Sequence, residues 1–111
     1  MQHLFEKKDY HYCLFIGHLV LEKILKAIYI DRVGKSPPYK HGLLKLANLA
    51  GIKLTADQEA FLDEATGFNI AARYPDYKFD FYKKCTRAYT KPRVQKILEF
   101  YRWAKEMTKS D

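Results

Sequence analysis

Between Asp9 and Val33 the chain runs without a proline. Apolar residues recur there at helical spacing, at Leu14, Leu21, Leu25 and Ile28, with Phe15, Leu19, Val20 and Ile24 beside them. At about 100° per residue, His11, His18, Glu22 and Lys26 fall into one narrow polar stripe. A helix that is apolar over most of its circumference has to be covered on several sides, so this segment predicts a central helix with the rest of the chain packed around it. It does not read as a membrane span. Glu22, Lys23 and Lys26 interrupt it, and each ion costs about 2.5–3.5 kcal/mol at mid-bilayer.

The remaining segments are set off by glycine and proline. Gly34 stops the long helix, and Lys35-Ser36-Pro37-Pro38-Tyr39-Lys40 reads as a loop, since neither proline suits a helix interior. A short helix is expected from His41 to Ala50, with Leu43, Leu44, Leu46, Ala47 and Ala50 apolar and Gly51 ending it. Thr55-Ala56-Asp57-Gln58 has the form of a capping box, and Asp57 and Glu59 suit the positive end of the helix that follows. Phe61, Leu62, Ala65 and Phe68 give that helix its buried face, and Tyr74-Pro75 ends it. Residues 79–90 predict another helix, with Tyr82, Cys85, Ala88 and Tyr89 inward. Pro92 suits the first turn of a last helix carrying Val94, Ile97, Leu98, Tyr101 and Ala104. No segment alternates strongly enough for a strand. The expectation is all-α: an up-and-down helical bundle of four to five helices, one domain over 1–111.

At 111 residues the chain is long enough for one core and no more. It carries a net charge of +7, unevenly placed. Residues 1–77 hold ten basic and nine acidic side chains, whereas residues 78–111 hold ten basic and four acidic. The last third, with Lys83, Lys84, Arg87, Arg93 and Lys96, is therefore a candidate surface for phosphate. Residues 1–9 lack the order of a signal peptide, and Cys13 and Cys85 form no zinc or CxxC spacing, so a cytoplasmic protein with reduced thiols is expected.

Catalytic motifs are scarce. Gly-rich phosphate loops, HExxH and nucleophile elbows do not occur. His18 and Glu22 stand one helical turn apart, but two surface ligands at that spacing arise readily by chance, and no metal or cofactor is expected. The segment Asn69-Ile70-Ala71-Ala72-Arg73-Tyr74-Pro75-Asp76 is different. Asn69 and Arg73 lie one turn apart and continue the face begun by Phe61, Ala65 and Phe68. The Arg73 guanidinium offers a flat fork of donors matched to carboxylate or phosphate. Its partner is either a ligand or a carboxylate of the chain, such as Asp76, Asp63 or Glu22.

Three strings together carry a resemblance: Phe15-x-x-His18-Leu19-x-Leu21-Glu22-Lys23-Ile24-Leu25-Lys26-Ala27, then His41-Gly42-Leu43-x-x-Leu46, then Asn69-x-x-Ala72-Arg73-Tyr74-Pro75-Asp76. In this order they resemble a HEPN domain over about residues 9–109. The resemblance implies a helical bundle, often a homodimer, and association with small nucleotidyltransferases in two-gene, toxin–antitoxin-like modules. It also implies a nucleotide or RNA ligand. The ribonuclease members of the family are similar to one another in an Arg followed four to six residues later by His. Here the histidines are His3, His11, His18 and His41, and the one Arg ahead of any of them is Arg32, nine residues before His41. Proton transfer near neutral pH is the usual task of His in such cleavage. The family's helix ahead of the Glu-Lys string is also longer than the Met1–Asp9 lead-in found here, and a second chain would cover apolar surface left open.

These readings favour a non-catalytic module that binds a nucleotide or a nucleotidyltransferase partner. Its candidate contacts are Asn69, Arg73, Tyr74 and Asp76, with Lys23, Lys26 and His41 secondary. The alternatives are an RNA-cleaving toxin whose site combines His18 or His41 with Arg73 across a dimer, and a non-specific nucleic-acid binder using the basic last third.

Overall fold

The computed structural model describes residues 1–37 and 42–108. Among them six helices follow in order: α1 (Gln2–Glu6), α2 (Tyr10–Val33), α3 (Leu43–Leu49), α4 (Ala56–Arg73), α5 (Pro75–Lys84) and α6 (Arg87–Lys105). The described residues hold no strand, and no described helix is long and apolar enough to cross a membrane. The all-α expectation holds.

Helix α2 is the axis. It packs against each of the other five helices and buries Leu14, Leu21, Leu25 and Ile28 completely. Each such side chain contributes about 1.5–3 kcal/mol relative to exposure in water. At Gly17 the approach of α6 leaves no room for a side chain. A Cβ there would overlap the Cδ1 of Ile97 and sit 3.3 Å from the Met1 sulfur. The helix stops where expected, at Gly34, whose φ of 80° is the left-handed conformation that favours glycine.

Side chains from neighbouring helices close the turns. Arg32 Nη1 donates to the carbonyls of Ala50 (3.3 Å) and Gly51 (3.0 Å), fastening the end of α2 to the turn after α3. Gly42, the N-cap of α3, has no side chain to cap with. The Thr66 hydroxyl on α4 replaces it, accepting from the Leu43 N–H at 3.1 Å while donating to the Leu62 carbonyl. Thr55 and Gln58 form the predicted capping box reciprocally, at 3.1 and 2.9 Å. Phe61, Leu62, Ala65 and Phe68 are all buried. Pro38, Tyr39 and Lys40 of the expected loop, and His41, lie outside the described residues.

The last third departs from expectation. Pro75, not residue 79, opens α5, so Phe81 and Cys85 face the core while Tyr82 is exposed. The chain then breaks after Lys84, because the Thr86 hydroxyl accepts from the Tyr89 N–H at 3.2 Å and starts α6 there. Helix α6 buries Val94, Ile97 and Ala104 as expected, with Thr90 and Phe100 beside them, while Leu98 and Tyr101 are half-buried and Ala88 is exposed. Pro92 consequently lies inside α6 rather than in its first turn. It cannot donate to the Ala88 carbonyl, which belongs to an exposed residue.

The polar stripe of α2 is also corrected. His18 is buried, with 5% exposure, on the side of α2 turned to the other helices, while Tyr12, Lys23, Lys26, Ala27 and Ile30 remain exposed. At the other end of the chain the short lead-in forms α1, closed by Lys8 at φ 63°. Bonds from Lys8 N to Phe5 O and from Asp9 N to Leu4 O make this a Schellman turn.

Candidate functional site

Tyr74 is at once the C-cap of α4 and the N-cap of α5. Its extended backbone, φ −102° and ψ 124°, is what a residue before proline adopts. The two helices therefore meet at an elbow one residue long. Its N–H reaches the Ile70 carbonyl at 3.2 Å, and its own carbonyl accepts from Tyr77 and Lys78 at 3.0 Å each. Behind the elbow, Phe68 and Phe81 bring their ring centroids to 6.0 Å and hold α5 against α4.

The four primary candidates line this elbow. Asn69 is half-buried, whereas Arg73, Tyr74 and Asp76 are exposed. Among the described residues Arg73 makes no ion pair with Asp76, Asp63 or Glu22. Its guanidinium is thus open to an external anion, and the adjacent Tyr74 ring, 55% exposed, offers a stacking face. Lys23 and Lys26 are exposed on α2; Lys26 pairs with Glu22 at 3.6 Å. Among the described residues no hydrogen bond, ion pair or ring contact joins either lysine to the elbow. His41 lies outside the described residues.

Burial pushes the His18 imidazole below its ordinary value, with Glu22 opposing and Lys26 adding to the shift. Its Nδ1 has no partner among the described residues. Among the described residues no three His, Cys, Asp or Glu side chains gather as a metal site. Both thiols are buried and pushed up by desolvation, Cys85 to about 12.

The basic last third is largely engaged with the chain's own rings. Lys83 lies over Phe79 (4.6 Å), Lys84 over Tyr89 (5.3 Å), Arg87 over Phe5 (5.0 Å) and Lys96 over Phe61 (5.8 Å). Arg93 stacks on Tyr89 at 3.6 Å. Part of the positive charge therefore serves packing.

A second opening lies where α5 faces the start of α2, at residues that no sequence motif joins. His11, Lys78, Phe79 and Tyr82 border an open cleft of about 340 Å³. His11 meets the Tyr82 ring edge-on at 5.1 Å. The run Tyr77-Lys78-Phe79-Asp80-Phe81-Tyr82 holds the signal, but only when the helix is started at Pro75.

The helices, the elbow and the α3 start occupy the places of the three strings on which the resemblance rests. A family model described as HEPN domain matches residues 1–107. The chain belongs to the HEPN domain family. No curated protein and no solved structure matches it significantly. As a HEPN domain it is a helical module of a nucleotide- and RNA-related family whose members commonly dimerise.

Proposed function

We propose that this HEPN domain is a non-catalytic module binding a nucleotide or a protein partner at the α4–α5 elbow. Arg73 takes the anion, a phosphate or a partner carboxylate. Asn69 adds an amide one turn earlier, Tyr74 stacks on the ligand, and Asp76 orients the guanidinium when the ligand arrives. Lys23, Lys26 and His41 are secondary contacts. The partner in this reading is a minimal nucleotidyltransferase in a toxin–antitoxin-like pair, with the HEPN chain as a homodimer in the cytoplasm.

One observation carries the proposal: an exposed guanidinium without a carboxylate partner among the described residues, next to an exposed tyrosine. An arginine whose role is to fasten two helices would be paired, as Arg93 is. The RNA-cleaving alternative is weakened in its His18 form, because His18 lies inside the bundle. Titration of the 15N-labelled protein with ATP tests the reading by amide shifts. Saturable shifts confined to residues near Asn69–Asp76 are expected. Shifts elsewhere, with the elbow unmoved, would reject it.

A further inference from the structure

The N-terminal half of α4 and the C-terminal half of α6 border an open trough of about 610 Å³, a volume within the range of sites that bury organic ligands. Its floor is aromatic. Phe61 and Phe100 are buried, Trp103 is half-buried, and the last two rings meet edge-on at 5.4 Å. The rim is acidic in a chain whose net charge is +7. Glu64 is neutralised by Arg93. Asp57 and Glu99 line the trough as well, and among the described residues neither has an ion pair or a side-chain hydrogen bond. Lys96 already lies over the Phe61 ring at 5.8 Å. The chain itself thus places one cation against these rings, and the two open carboxylates leave room for another.

We propose that this trough docks a basic peptide segment of a partner protein, an arginine or lysine flanked by apolar side chains. The cation lies over Trp103 beside Glu99, where a ring face and a carboxylate act together, and the apolar flanks lie along Ala60 and the exposed part of the Trp103 ring. A phosphate-bearing ligand is disfavoured by the same carboxylates. The trough is more spacious than one guanidinium requires, which favours a segment over a lone cation. This site lies apart from the α4–α5 elbow and does not rest on the reading given for it.

Trp103 is the chain's one tryptophan, so its emission reports on the trough directly. The probe is a capped hexapeptide of alternating leucine and arginine, titrated into the full chain at low salt. A saturable emission change is expected, at least tenfold weaker in affinity for the Asp57→Asn/Glu99→Gln double variant. That variant is expected to fold as the wild type does and to melt slightly lower, because Asp57 stands in the first turn of α4 and Glu99 has no partner among the described residues. The Arg73→Ala variant should bind the peptide normally. No saturable change by emission or calorimetry would overturn the proposal. So would equal binding of a glutamate-for-arginine peptide, equal binding of AMP, or an unaltered affinity in the double variant. Argininamide binding as tightly as the peptide would also overturn it, by reducing the occupant to a single cation.

Discussion

Arg93 grips Glu64 with two parallel contacts, Nε to Oε1 and Nη2 to Oε2, each 3.1 Å long. Helices α4 and α6 both pack on α2, and this pair spans the gap between them. The bidentate geometry makes it stronger than an ordinary surface pair, while its partial exposure, 24% for Arg93 and 40% for Glu64, limits it. A double-mutant cycle of Glu64→Gln and Arg93→Gln, read by urea unfolding, should give a coupling of about 1 kcal/mol. The coupling should shrink in 1 M salt. Zero coupling at low salt would show that the pair fastens nothing.

Gly17 predicts an effect whose sign depends on its neighbour. Alanine is favoured over glycine inside a helix by about 1 kcal/mol, but its methyl would overlap Ile97 Cδ1 in a fully buried position. Overpacking of this kind costs about 1–3 kcal/mol. Gly17→Ala should therefore destabilise the wild type and become neutral or stabilising in an Ile97→Val background, where that methyl is gone. Equal effects in both backgrounds would contradict the close approach of α2 and α6.

His18 gives the fold a dependence on pH. Its folded-state value lies below the ordinary 6.5, so the unfolded chain takes up the proton first. The stability it contributes is complete above pH 6.5 and declines as pH falls below it, by at most about 1.4 kcal/mol per pH unit for one proton. Urea unfolding at pH 7.5, 6.5 and 5.5 should show a shallower decline for His18→Leu than for wild type. Parallel declines would assign the acid sensitivity to other groups.

Local signals in the sequence were reliable where the physics is local. The Thr55–Gln58 box, Gly34 and Gly51 each act within a turn of their own position, and each sits where it was expected. The Phe61–Phe68 face also followed from spacing alone. The misreadings share a cause at longer range or in weaker signals. Whether α5 starts at Pro75 decides whether Tyr82 or Phe81 faces α4, and a proline can open a helix as well as end one. Thr86 is an N-cap without a glutamate or glutamine three residues on, so the Pro92 signal outweighed it. Lys8 takes a conformation that usually advertises itself through glycine, which hid α1. The burial of His18 depends on how many helices surround α2. The elbow was legible as a motif, but the openness of Arg73 depends on where Asp63, Asp76 and Glu22 end up in space.

The elbow reading is tested most directly by the affinity of Arg73→Ala for ATP, measured by calorimetry beside its thermal melt. An exposed side chain with no partner among the described residues should leave stability within about 0.5 kcal/mol of wild type, while ATP affinity falls at least tenfold and Arg73→Lys recovers only part of it. An unchanged affinity in a folded Arg73→Ala protein would contradict the assignment of this surface.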